Sequence, residues 1–428
     1  MTLHQLVDQS YQTLIEQMNE AQTILLHPRS RYRSMLIAKL LNQPDLNVFY
    51  YALGPDDINL QAFISSIAHD MANQHPTFGR HINMLPQEVY AKPEEHLEQV
   101  LETFAADLSE VSSEPFLLVL DEYDRSDSSD DVQRFVEKLS HFLPENCRVI
   151  LNGRTLPRLP WVAMIAEQRA VMLEDDKIIT EDFYNLGQYE NNKLEVYALG
   201  PGFVTLDGDT VDNWEGHLPR LLFFFALDRP IITRSEICQA FWPDLDSDQA
   251  VNVFHVTKRR LHKALDTDVL IHENGYYRIN DEMTIYYDVM EFVSALMAAR
   301  NTDDQDEKVK AWQRISELYR GPFLQGHNDA WIEERRKEYL EGYAEALTNL
   351  ADFLLRQGRN EQAIVMLQKV LDEDKTREPL HRQIMQIYTD LGRRGEAAAH
   401  YKKFKEMMED ESLPISAETE ALYQQITV

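Results

Sequence analysis

Between positions 252 and 263 the sequence reads NVFHVTKRRLHK, the densest run of basic side chains in an otherwise acidic chain. Placed at 100° per residue, Asn252, His255, Arg259, His262 and Lys263 share one helical face, flanked by Lys258 and Arg260. Asn and Arg pair bidentately with adenine and guanine edges, and the other cations suit phosphates or bases. Cations near a helix C-terminus also complement its dipole. That accounts for Lys263 but not for the whole face. Arg278, in the hairpin that follows, stands where it could meet a phosphate or the minor groove.

A second constellation sits upstream. Residues 115–124, PFLLVLDEYD, form an apolar strand ending in Asp121 and Glu122. This resembles a Walker B strand, in which the first carboxylate positions Mg²⁺ and the second polarises water. The matching phosphate loop would need glycines for close backbone approach, then Lys-Ser/Thr. Residues 28–34 hold neither glycine nor lysine, and Arg33-Ser34 stands in the place of Lys-Ser/Thr. Arginine is not equivalent to that lysine, and bulky neighbours block the backbone. One reading has Arg29, Arg31, Arg33 and Ser34 holding an anion or nucleotide at a helix N-terminus. The favoured reading is a degenerate sensor or interaction platform with no catalysis and no cofactor, leaving Asp121 and Glu122 as solvated strand-end carboxylates.

The elements that must position these groups follow from patterning. At 428 residues the chain can form two to four domains. From about residue 20 to 165, apolar strands alternate with helices, which implies a parallel sheet covered on both faces. An acidic, turn-rich stretch, 174–192, reads as a linker. Period-two strands at 193–199 and 203–206 precede an apolar helix (219–227), a second helix (236–241, capped by Thr233 or Ser235) and a third at 247–265. Asn274-Gly275 between apolar runs predicts a two-residue hairpin. From Tyr287 the chain is helical, and Gly358-Arg359 with Ala363 recurs as Gly392-Arg393 with Ala397, a 34-residue offset that is the tetratricopeptide period.

A formal charge of −30 argues against indiscriminate nucleic-acid binding, so any DNA binding should be site-selective and salt-sensitive. No run of about 18 apolar residues or secretory signal is visible, and Cys147 and Cys238 have no metal-ligand spacing. These features predict a cytoplasmic protein with reduced thiols and no membrane partner.

Three resemblances sharpen the expectation. Residues 20–165, including RVILNGRTLPRLPW, are similar to STAND-type regulatory ATPases of the maltose-regulator kind. The stretches SEICQAFWPD, NVFHVTKRRLHKAL and GYYRI look like the OmpR/PhoB-type winged helix of SARP-family activators. There the third helix enters the major groove and the wing touches the backbone or minor groove. From Tyr287 to Ile426, YRGPFL, WIEERR and LGRRGEA resemble the bacterial transcriptional activator domain that follows the winged helix in that family. The expected organisation is therefore a degenerate P-loop-like α/β domain (1–173), a linker (174–192), an α+β winged helix-turn-helix (193–286) and an all-α domain of tetratricopeptide-like repeats (287–428). The resemblance implies a transcriptional activator binding double-stranded DNA through Asn252, His255, Lys258, Arg259, Arg260, His262, Lys263 and Arg278, with RNA polymerase contact or homodimerisation through the repeats. The alternatives are a nucleotide-responsive STAND switch and a protein-interaction scaffold without DNA binding.

Overall fold

The computed structural model describes residues 3–26, 33–43, 46–173, 194–273, 275–280 and 283–427. The expected linker at 174–192, together with Arg29, Arg31 and Asn274, lies outside the described residues. Among the described residues, no helix is long and apolar enough to cross a membrane. The chain divides into two compact units. The first comprises residues 1–196, 203–287 and 329–331, and the second comprises 197–202, 288–328 and 332–428.

The first unit begins with α1 (Leu3–Gln17), β1 (Thr23–Leu26), α2 (Arg33–Leu41), β2 (Asn47–Ala52), α3 (Leu60–Gln74), α4 (Gln87–Ala91) and α5 (Leu97–Ser109). It continues through β3 (Phe116–Asp121), α6 (Asp130–Leu139), β4 (Cys147–Asn152), α7 (Trp161–Ala166) and β5 (Ala170–Leu173). The five strands form a parallel sheet in the order β2-β3-β4-β1-β5. Runs such as TILL and FLLVL are buried along their length, as strands covered on both faces must be. Leu14 of α1 and Leu36, Ile37 and Leu40 of α2 pack with Ile24, Leu26, Leu117 and Val119 of the sheet. Phe63, Phe104 and Phe135 interlock α3, α5 and α6 edge to face.

The same unit then holds β6 (Leu194–Tyr197), β7 (Phe203–Leu206), β8 (Asp209–Thr210), α8 (Leu218–Leu227), β9 (Ile232–Thr233), α9 (Arg234–Phe241) and α10 (Ser247–Leu265). It closes with β10 (Leu270–Glu273), β11 (Tyr276–Ile279) and β12 (Ile285–Tyr287). Helix α8, apolar nearly all round, is buried from Leu221 to Leu227 and packs under α10. Thr233 caps α9: its hydroxyl accepts from the Glu236 N–H and the Glu236 carboxylate accepts from the Thr233 N–H. Of the two cap candidates, the structure selects Thr233, because a capping box needs the acid three residues on. Strands β10, β11 and β9 form one antiparallel sheet, while β12 adds to β6 in parallel. Neither β9 nor β12 was legible in the sequence, since two or three residues carry no period.

The second unit is built on α11 (Asp288–Asn301), α12 (Gln305–Leu318), α13 (Ala330–Arg356), α14 (Asn360–Glu373), α15 (Glu378–Asp390), α16 (Arg394–Asp410) and α17 (Ala417–Thr427). Gly358 and Gly392 end α13 and α15 at φ of 74° and 73°, the left-handed turn that glycine adopts without a Cβ penalty. Ala363 and Ala397, one turn into the next helices, are fully buried. Their small side chains let neighbouring helices approach. Asp288 is buried and accepts from the Ala198 and Leu199 N–H groups and from Arg320, tying residues 197–202 to the helices.

Candidate nucleic-acid interface

Helix α10 starts at Asp246, whose carboxylate accepts from the Gln249 N–H, and stops at Asp266 in the left-handed region. Ala250, Phe254, Thr257, Leu261 and Leu265 are buried, as the helical period requires. Phe254 meets the Tyr277 ring of β11 edge-on at 4.9 Å, so the hairpin braces the helix. On the outer face Asn252, His255 and Arg259 are exposed at spacings of three and four. None of the three side chains has a hydrogen bond or ion pair among the described residues.

The remaining basic side chains are engaged. Lys258 is half-buried with Nζ 5.2 Å from the Tyr277 ring centroid, and burial lowers its pKa. His262 Nδ1 lies 2.6 Å from Asp268, and its Nε2 accepts from the Leu270 N–H at 3.3 Å. Burial first, then the Lys258 charge, lowers the His262 pKa and keeps the imidazole neutral. Lys263 is ion-paired to Glu215, and Arg260 Nε lies 3.5 Å from the same carboxylate. Arg278 donates to Glu273 at 2.9 Å across the hairpin. Between α10 and β10 lies a groove of about 560 Å³ lined by His255, Lys258, Arg259, His262 and His272. His272 escaped the sequence reading because it arrives from a strand, outside any helical period.

The degenerate phosphate-loop region is equally specific. Asp121 accepts from the Tyr50 hydroxyl and from Asn152 Nδ2, each at 2.6 Å, and from the Glu122 N–H at 2.7 Å. Each of its two oxygens thus has a donor within the protein. Burial, then the Asp121 hydrogen bond, pushes the Tyr50 hydroxyl up to about 12. Glu122 is left-handed at φ 50° and paired with Arg125. Arg33 Nη1 donates to the Gly153 carbonyl at 2.5 Å; burial lowers its pKa, an effect that the Asp124 and Asp121 charges only partly oppose. Ser34 is exposed. Sequence reasoning had no signal for Tyr50 or Asn152, which reach Asp121 from neighbouring strands.

Residues 287–427 match the family model of the bacterial transcriptional activator domain. Residues 4–154 match that of nephrocystin 3, N-terminal. Regulatory protein AfsR of Streptomyces coelicolor is 26% identical over 226 residues, which are 52% of this chain and 23% of that protein. Among solved structures, Mycobacterium tuberculosis EmbR in complex with a low affinity phosphopeptide is similar at a TM-score of 0.44 and 22% identity, covering 55% of this chain and 65% of that one. A Pyrococcus horikoshii STAND protein with a tetratricopeptide repeat sensor, PH0952, is similar at 0.24 and 12%, covering 96% and 65%.

Proposed function

Taking residues 287–427 as a bacterial transcriptional activator domain in a SARP-like chain, we propose that the protein is a sequence-specific DNA-binding transcriptional activator. Helix α10 reads the major groove in the manner of an OmpR/PhoB-type winged helix, with the β10–β11 hairpin as the wing. The observation that carries this reading is the free outer face of α10. Asn252, His255 and Arg259 are exposed and unpaired among the described residues, whereas most of the surrounding cations have acidic partners. Side chains left open on a braced helix can meet base edges without first breaking an internal contact.

Lys258, Arg260, Lys263 and Arg278 supply the flanking positive potential for phosphates, and the neutral His262 offers a hydrogen bond rather than charge. The tetratricopeptide-like helices contact RNA polymerase or a second copy. In this reading the parallel-sheet portion acts as a degenerate platform rather than an NTPase; the bonds from Tyr50 and Asn152 to Asp121 and the lack of a lysine at 28–34 support it. Selection from a random duplex library with the full chain tests the proposal. Enrichment of a defined motif is expected, and a library that stays random sinks it.

A further inference from the structure

Within the first unit, buried charges bridge the parallel-sheet portion to the portion carrying α9, α10 and the hairpin. Arg158, in the loop after β4, has a fully buried side chain. Its Nη1 donates to the Asp127 carbonyl at 2.6 Å. Its Nη2 lies 2.5 Å from Asp130 of α6 and 2.7 Å from Glu236 of α9. The guanidinium also sits 5.7 Å from the ring centroid of Tyr276 on β11. Beside it, Arg229 lies 3.6 Å from Glu236, 3.7 Å from Glu137 and 3.4 Å from Asp228. The Thr233 hydroxyl, which caps α9, donates to Asp130 at 2.8 Å. The loop and α6 therefore hold the N-terminus of α9 and the strand that braces α10.

This cluster is costly for a permanent joint. Two guanidinium groups and the carboxylates around them are withdrawn from water, and among the described residues Nε of Arg158 and Nε of Arg229 are buried without a hydrogen-bond partner. A half-satisfied ionic network is costlier than an apolar contact of the same size, and its documented use is in switching rather than in stability.

We infer that the Arg158–Glu236 cluster is a releasable clasp that, when closed, restrains the reading head against the acidic sheet-bearing portion. Over residues 1–173 Asp and Glu outnumber Lys and Arg. Held beside the hairpin, that acidic body repels the phosphates of a duplex approaching α10. Opening frees α9 and β11 and lets the acidic body move away. The inhibitory step rests on the DNA-binding reading, whereas the clasp itself does not.

Two full-length variants test it: Arg158→Met, which keeps the apolar stem, and Glu236→Gln, which keeps the α9 capping box. Hydrogen exchange should quicken about tenfold in α9 and β11 and stay unchanged in β1–β5. Binding of each variant to the library-selected duplex should tighten about fivefold or more at low salt. Unchanged exchange in α9 and β11, or acceleration spread evenly over the sheet, overturns the clasp. Local opening with equal or weaker DNA affinity overturns the inhibitory role while leaving the reading head intact. No duplex binding by either wild type or opened variants rejects both.

Discussion

Lys263 is ion-paired to Glu215, and that single carboxylate also faces Arg260. One acid from the loop before α8 thus neutralises two of the cations flanking the reading face. Both pairs are largely solvent-exposed, so they contribute little to stability and act chiefly on the potential a duplex meets. Glu215→Gln should leave thermal stability unchanged and tighten DNA binding. The slope of log K against log salt should steepen by about one to two as the freed cations find phosphates. An unchanged slope places Lys263 and Arg260 away from the backbone.

The sequence-selective contacts should behave differently. Asn252→Ala should cost about 1–3 kcal/mol on the selected duplex and almost nothing on unrelated DNA. Equal losses on both would make Asn252 a backbone contact.

His262 supplies a pH signature. Its folded pKa is depressed below 6.5 by burial and by Lys258. A depressed folded value means its contribution to stability is complete above about pH 6.5 and is lost as pH falls through the folded pKa. Protonation also removes the Nε2 lone pair that accepts from the Leu270 N–H. The melting temperature of wild type should therefore exceed that of His262→Ala by a margin that shrinks from pH 7.5 to 5. A margin independent of pH would show that the imidazole acts only through packing.

In the helical unit, Gly392→Ala isolates a backbone effect. A Cβ there meets no atom within 4 Å, yet φ is 73°. Destabilisation of about 1–2 kcal/mol in urea unfolding is expected, with Gly392→Asn costing less. A neutral Gly392→Ala would mean that the turn rearranges.

Legibility followed the range of the interaction. The period of α10, the strands flanking the expected hairpin turn, the apolar strands of the parallel sheet and the Gly358–Gly392 repeat are local patterns, and they lie where the sequence placed them. Which basic side chains stay open was not legible, because Glu215 precedes Lys263 by half the segment and Asp268 folds back onto His262 only once β10 is paired. Tyr50 and Asn152 reach Asp121 across strands whose order no sequence period encodes. Arg158 sits in an unremarkable RTLPRLPW loop, and its burial depends on acids from α6 and α9. The strand β12 illustrates the same limit: three residues acquire their structure only by pairing with β6, some ninety positions earlier.

The degenerate loop yields a further outcome. With Asp121 held by Tyr50 and Asn152 and Arg33 held by the Gly153 carbonyl, a fluorescent ATP analogue should show no saturable Mg²⁺-dependent binding to the full chain. Tight Mg²⁺-dependent binding would favour the nucleotide-switch reading.

The most direct measurement is a fluorescence-anisotropy titration of the library-selected duplex with wild type and Arg259→Ala, alongside circular dichroism of both. Arg259→Ala should keep the fold while its affinity for the selected duplex falls about tenfold or more and discrimination against unrelated DNA is largely lost. Equal affinity and equal discrimination in the two proteins would contradict the base-reading role of α10.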